Sequence, residues 1–379
     1  MAASVFIKVL TDNPQQTLRG IYARWLKTGE LSALLVPAVS ATGVAAPVLF
    51  SDPEKVAMVS PLLPVMAVNS ASIVAEIAAE RATETRVGVV LRPCEMRAVV
   101  ELIKLQQIVR ENLVLIGIDC PGTYLPAVLG PELVEDRGKL DEWVIEFVSG
   151  QDRYFEDERL RSACQMCEFP TSLVADLKIG FLGLNVRERL LLSPVSEAGS
   201  RLVAGLETEP AAENIPERSG YLDRFVQSRK SRAEQRIADF DRVGLGPENL
   251  VRYFARCLNC HNCMKVCPVC YCRECFFESD VFQREQDEYV RRSKRKGLNR
   301  MPAGTLLFHL TRMNHMMTSC VQCGICEDSC PAGIGLSVLF KKVARNAQAA
   351  FDYLSGRSLD EPLPLTTFRE DEFREIGEE

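Results

Sequence analysis

The chain has 379 residues, 47% of them hydrophobic and 25% charged, with a formal net charge of −6 and a sequence pI near 5.5. That length supports two or three domains with buried cores, and the acidic balance argues against a nucleic-acid surface. No apolar run approaches the roughly 20 residues that cross a bilayer, and the N-terminus lacks the sections of a secretory signal, so the chain reads as cytoplasmic, with no transmembrane segment.

In chain order, "SVFIKVL" and "GELSALLVPAVS" supply two strand candidates, and "SASIVAEIAAERA" a helix whose N-cap is Asn69 or Ser70. Next comes an apolar run (Val87 to Leu91), an amphipathic helix (Glu95 to Ile108) and a second apolar run (Leu113 to Ile118). This is a βαβ unit, and it predicts a parallel sheet buried on both faces. Cys94 and Cys120 each fall just past the carboxyl end of one of its strands, the edge where open sheets collect ligands. "ELVEDRGKLDEW" reads as a solvated acidic face. "RSACQMCEFP" adds Cys164 and Cys167 as C-x2-C, which completes four thiols from three loops and predicts a cluster set into the α/β domain.

From Leu222 to Cys257 the chain is charged and helix-prone, broken at Gly244, Gly246 and Pro247, as for a connecting helix followed by the first helix of another domain. Fifteen cysteines in a chain without an export signal do not suit a disulfide framework, because the cytosol keeps thiols reduced. Metal ligation is the favoured use. Cys257, Cys260, Cys263 and Cys267-Pro268 form C-x2-C-x2-C-x3-C-P, and so do Cys320, Cys323, Cys326 and Cys330-Pro331. Three thiolates at that pitch wrap three corners of a cubane, while the fourth cysteine of each run usually serves the other cluster. A zinc ribbon would instead need C-x2-C pairs that supply four ligands per ion. The cysteines thus predict three 4Fe-4S clusters.

Cys270, Cys272 and Cys275 remain; they could substitute a ligand, pack as small hydrophobes, or form a fourth metal site, and three thiolates alone do not close a cubane. His261 reads as an exposed loop histidine. The basic run "RRSKRKGLNR" (Arg291 to Arg300) reads as a solvated loop, with docking of an acidic partner as the sharper alternative. Leu306, Leu307, Leu310, Met313 and Met317 recur near a helical period, as do residues of Gly333 to Leu354, so the second half is expected to hold its clusters between helices. On this view His309, His315, Met313, Met316 and Met317 pack the helix or line its surface and are not haem ligands. The acidic, proline-punctuated tail is expected to be disordered or wrapped around a neighbouring subunit.

At "RPCEMRAV", "GIDCPG", "CQMCEFPTSLVADLKIGFLG", "CPVCYCREC" and "SCVQCGICEDSCP" the sequence resembles the iron–sulfur flavoprotein beta subunits of coenzyme F-420-dependent hydrogenases and formate dehydrogenases, most closely the formate dehydrogenase type, over roughly residues 85 to 350. The resemblance implies core cluster ligands at Cys94, Cys120, Cys164 and Cys167. It also implies FAD in the α/β domain, a catalytic partner of formate dehydrogenase or hydrogenase type, and a heterodisulfide-reductase-like or other redox acceptor. Three residues depart from the family pattern. Gln15 and Gln16 stand where its members place a Gly-Gly pair, and Phe181 stands where they place a polar residue.

The expected architecture is an α/β domain with a parallel sheet, one cluster and a FAD site (residues 1–205), a helical linker (206–256), a mainly α-helical two-cluster ferredoxin domain (257–350) and an acidic tail (351–379). The expected function is electron relay within an anaerobic oxidoreductase complex, with no catalytic residues of its own. The alternative is a flavin enzyme acting on a soluble deazaflavin or nicotinamide cofactor.

Overall fold

The computed structural model describes residues 3–40, 42–79, 85–244, 246–282 and 285–366. Strands β1 (Val5–Lys8), β2 (Ala33–Val39), β3 (Ala45–Phe50), β4 (Val87–Leu91), β5 (Leu113–Ile118), β6 (Leu177–Gly180), β7 (Arg189–Pro194) and β8 (Glu209–Pro210) form one sheet in the order β3-β2-β4-β5-β6-β7-β1-β8. Its centre, β2-β4-β5-β6, is parallel, while β3 and the run β7-β1-β8 pair antiparallel. The parallel sheet expected from the βαβ unit is therefore the middle of a mixed one. β4 and β5 are buried along their whole length, as their unbroken apolar runs require.

Helices α1 (Pro14–Lys27), α2 (Ser70–Ile77), α3 (Pro93–Lys104), α4 (Pro131–Glu135), α5 (Arg137–Ser149) and α6 (Glu197–Val203) accompany the sheet. Asn69 caps α2, accepting from the Ala71 N–H, and the Glu95 carboxylate closes the start of α3 by accepting the Arg92 N–H at 2.9 Å. α3 stops at Lys104, short of the expected Ile108, because Gln106 turns left-handed (φ 59°) and Gln107 folds its N–H back to the Leu102 carbonyl. The supposed solvated acidic face is partly a wall. Asp141 of α5 is buried and held by Arg19, with N···O distances of 2.5 and 2.7 Å.

Helix α7 (Pro216–Gly244) leads to α8 (Pro247–Tyr253) across the break expected at the glycines and Pro247. Its Tyr221 and Phe225 belong to the core on one side of the sheet, and its Phe240 belongs to the core that continues into the second half. That half contains α9 (Asn262–Lys265), α10 (Gln286–Lys296), α11 (Thr305–Met316), α12 (Ile325–Asp328) and α13 (Leu336–Ala350). The basic run is mostly α10 and not a loop. Its residues carry no apolar stripe, but acidic Asp287 and Glu288 open it and Lys294, Arg295 and Lys296 close it, which suits the helix dipole. α11 buries Thr305, Phe308, His309, Arg312, Met313 and Met316, and leaves Leu307 and Leu310 exposed, so its inward face is rotated from the apolar stripe read in the sequence.

The two halves are bolted together by buried polar groups. Arg97 of α3 donates to the Ser355 carbonyl (2.8 Å), the Ser355 hydroxyl (2.9 Å) and the Val321 carbonyl (3.2 Å). Glu101, one turn on, accepts from the Tyr353 hydroxyl (2.5 Å) and the Gly356 N–H (2.7 Å). Tyr353 to Gly356, just past α13, are thus a fixed strap across α3; the disordered or partner-bound stretch was expected from Ser358 onward, and residues beyond 366 lie outside the described residues. Among the described residues no helix is long and apolar enough to cross a membrane.

Candidate iron–sulfur centres

Four cysteines meet at the carboxyl edge of the parallel strands. Cys94 lies in the first turn of α3, directly beyond β4, and Cys120 follows β5 by two residues. Cys164 and Cys167 flank a single tight turn closed by a Cys167 N–H to Cys164 carbonyl bond of 3.1 Å. Gly122 (φ 125°) lets that turn come close, because a Cβ there would stand 3.2 Å from the Cβ of Cys164. Burial pushes the Cys120 thiol up to about 12, with Cys164 and Cys167 pushing the same way against Arg92. Burial also raises Cys94 and Cys167, and Cys94 feels Cys120, Cys167 and also Cys323 of the second half. Such thiols lose their protons only if a cation replaces them, which is what metal binding does.

The two ferredoxin-type runs fold alike. Asn259 and Gln322 occupy the same place in each, both left-handed (φ 56° and 60°), and so do His261 and Gly324 (φ 60° and 76°). Non-glycine residues rarely take this conformation, and finding it at matched positions marks a backbone bent to serve its thiols. The bend turns amides toward sulfur: the Asn259 N–H donates to Cys257 Sγ at 3.3 Å, Gln322 to Cys320 and Ile325 to Cys323. α9 and α12 follow as matching single turns packed on each other.

The fourth cysteine of each run crosses over. Cys267 lines one apolar cavity with Cys320, Cys323 and Cys326, between Pro268, Val269, Met316, Val321 and Phe340. Cys330 instead acts on Cys257 and Cys263. The twelve cysteines therefore sort into a core set (Cys94, Cys120, Cys164, Cys167), a middle set (Cys320, Cys323, Cys326, Cys267) and an outer set (Cys257, Cys260, Cys263, Cys330). Gly324 of the middle loop abuts Ala163 in the α/β half, whereas in the outer loop Cys260 is exposed and Leu258 is 62% exposed. Among the described residues no three His, Cys, Asp or Glu side chains converge closely enough to grip a single metal ion. The middle thiols surround a space, as a polynuclear cluster needs and a lone zinc ion does not.

Buried cations complete the sets. Arg161, its side chain wholly buried, reaches Cys164 Sγ at 3.8 Å, the Thr123 hydroxyl at 3.2 Å and the Cys323 carbonyl at 2.9 Å, and its Nε donates to Asp328 at 2.6 Å. It thus stands between the core and middle sets. Arg229 of α7 is also buried, donates to the Pro121 and Tyr154 carbonyls, and acts on Cys164 and Cys167. Arg312 of α11 lines the middle cavity and has two buried N–H groups, Nε and Nη1, with no partner. His309 brings Nε2 to 3.3 Å from Cys257 Sγ and stacks on Phe254 at 3.8 Å. Burial depresses its pKa to about 4, so the ring is neutral at pH 7. Sequence reasoning placed His309 as plain packing and gave these arginines no part. The available signal was a histidine and an arginine three residues apart on an otherwise apolar helix face.

His261 is half-buried against Phe308, with ring centroids 4.3 Å apart, and is not the exposed loop residue expected. Cys270 and Cys275 pack at the edge of the apolar core, Cys275 lying 3.4 Å from Met264 Sδ, while Cys272 is exposed.

FAD was expected in the α/β domain, and one crevice of that domain lies beside the core set. It is bounded by Leu62, Leu63, Arg92, Ile118 to Thr123, Phe147 and Phe181. The free space between these walls admits about one water molecule, far less than a dinucleotide needs. Its walls are also tied shut. The fully buried Gln15 side chain accepts the Leu62 N–H at 2.8 Å and donates to Asp141, Arg92 donates to the Leu63 and Val65 carbonyls, and Asp119 clamps the Phe181 and Leu182 N–H groups. These residues do not fit FAD. Asp176, in the "VADLKIG" stretch, is equally committed to structure, accepting from the Leu115 N–H, Arg110 and the Ser196 hydroxyl.

Thiols grouped in this way on a ferredoxin-type half and an α/β half define an iron–sulfur electron-transfer subunit. Residues 253–334 match the 4Fe-4S dicluster domain family. Over about three quarters of its length the chain is similar to two curated proteins named as beta subunits of F420-dependent formate dehydrogenases. It is 27% identical over 314 residues to the "F420-dependent formate dehydrogenase subunit beta" of Methanocaldococcus jannaschii, covering 76% of this chain and 78% of that one. It is 26% identical over 317 residues to "F420-dependent formate dehydrogenase 1 subunit beta" of Methanococcus maripaludis, covering 74% and 76%. A chain of the F420-reducing NiFe hydrogenase complex from Methanosarcina barkeri superposes with a TM-score of 0.44 at 15% identity, over 62% of this chain and 92% of that one.

Proposed function

We propose that the chain relays single electrons through three 4Fe-4S clusters between a catalytic subunit and a second redox protein. The core, middle and outer cysteine sets would hold one cluster each, and the chemistry they supply is one-electron storage and transfer at potentials tuned by burial and by hydrogen bonds to sulfur. The observation that carries the reading is the adjacency of the sets. Cys94 of the core set acts on Cys323 of the middle set, and Cys263 of the outer set on Cys326 of the middle set.

The chain's own residues do the rest. Cys94, Cys120 and Cys323 are partly shielded from water, amides at Gly122, Gln322 and Ile325 support the sulfurs, and Arg161 pins the two halves where core and middle sets meet. The exposed Cys260 loop makes the outer set the end nearest to a docking protein. The relatives named as formate dehydrogenase beta subunits support a catalytic partner of formate dehydrogenase or hydrogenase type. A heterodisulfide-reductase-like flavoprotein is the acceptor suggested by the family resemblance. No step runs through FAD, because the crevice does not fit it.

The test is chemical analysis of anaerobically purified full-length chain together with its visible spectrum. The expected result is a brown protein with iron and acid-labile sulfide in equal amounts, bleached by dithionite and without stoichiometric flavin. A colourless zinc protein would end the relay reading, and tightly bound FAD would restore the flavin-enzyme alternative.

A further inference from the structure

We propose that Arg312 sets the reduction potentials of the clusters in the ferredoxin half, acting as an uncompensated buried cation between the middle and outer cysteine sets. This inference rests on the cluster reading proposed above.

Arg312 is 4% exposed on the inward face of α11, with its guanidinium carbon 4.3 Å from the centre of the Phe340 ring. It donates to the Cys326 sulfur, and its charge acts on Cys326 and Cys267 of the middle set and on Cys263 of the outer set. Nε and Nη1 are buried and have no hydrogen-bond acceptor among the described residues. No carboxylate among the described residues forms an ion pair with it, which separates it from Arg161, paired with Asp328. An unpaired charge and two idle donors in an apolar cavity are costly to bury. They are explained if the space bounded by Cys267, Cys320, Cys323, Cys326 and Arg312 is filled by something anionic that accepts hydrogen bonds through sulfur. A four-thiolate cluster is such a group, and it gains negative charge on reduction. A fixed cation beside it favours the reduced state and raises its potential. Arg312 is thus a positioning residue for electron flow, touching ligand sulfur without exchanging electrons itself.

The experiment compares full-length wild type, Arg312→Gln and Arg312→Lys, each purified anaerobically. Iron and sulfide per chain are measured first, followed by a redox titration monitored by electron paramagnetic resonance. The expected outcome is wild-type iron content in both variants, a shift to more negative potential for the ferredoxin-half signals in Arg312→Gln, and partial return in Arg312→Lys, which keeps the charge but not the planar donors. Unshifted potentials in Arg312→Gln overturn the inference. Loss of the clusters from both variants also overturns it, by making Arg312 a builder of the site and not a tuner. Absence of iron and sulfide from the wild type would instead defeat the underlying cluster reading.

Discussion

Gly324 and Ala163 abut where the two halves of the relay meet: a Cβ built on Gly324 would stand 2.2 Å from the Cβ of Ala163. Gly324 lies between Cys323 and Cys326 of the middle set, and Ala163 directly precedes Cys164 of the core set. Glycine is needed there twice over, for the left-handed turn (φ 76°) and for the missing atom.

Gly324→Ala should therefore force the loops apart, at a cost of about 1–3 kcal/mol from overpacking alone. The expected outcome is retained iron with slower electron exchange between the core cluster and the ferredoxin half, measured by rapid-mixing reduction. The matching change on the outer loop, His261→Ala, faces no second half and should leave that exchange unaltered.

Crossing of the fourth cysteines gives a sharper expectation. Cys267→Ser changes a residue of the first run, yet it should perturb the middle cluster, because Cys267 shares a cavity with Cys320, Cys323 and Cys326. Cys330→Ser should conversely perturb the outer cluster. Paramagnetic resonance of the two variants would tell the assignments apart; disturbance confined to the run that carries the mutation would contradict them.

Cys94→Ser should remove one cluster's worth of iron and leave the ferredoxin pair in place, since Cys94 is supplied by the sheet edge and the pair by the helical half. Iron analysis reads this directly. An unchanged iron content would remove Cys94 from the core set.

Arg97 and the strap at Ser355 hold the halves together by three buried hydrogen bonds. Arg97→Ala strands the Ser355 and Val321 carbonyls and should cost about 3–5 kcal/mol, the range for breaking a buried charged contact. Denaturant unfolding monitored on the intact chain checks the loss. Tyr353→Phe, which removes one hydroxyl from Glu101, should cost less, about 1–2 kcal/mol.

Strands β4 and β5 were legible to the residue because an unbroken apolar run bounded by polar residues has few other uses in a βαβ unit. The repeated cysteine spacing pointed to a 4Fe-4S dicluster domain, which residues 253–334 match, and Cys267 does share a cavity with Cys320, Cys323 and Cys326 of the other run. Other features were hidden for physical reasons. The inward face of α11 was misread because Arg312 and His309 are buried on account of sulfur, and periodicity counts only apolar residues. The strap was not foreseen because Ser355, Tyr353 and Gly356 hold it through hydrogen bonds to residues more than 250 positions away. α10 was read as loop because it shows the core no apolar stripe. Gln15 and Phe181 stood out only as departures from the family pattern; the bonds from Gln15 to Leu62 and Asp141 that tie the crevice wall could not be read from the sequence.

The most direct test of the central claim, three adjoining clusters in one chain, is paramagnetic resonance of the fully reduced wild-type protein alongside its iron content. The account expects about twelve iron atoms per chain, four for each cluster, and spectra broadened by magnetic interaction between neighbours. Eight iron atoms, or signals that add up from isolated and non-interacting centres, would contradict it.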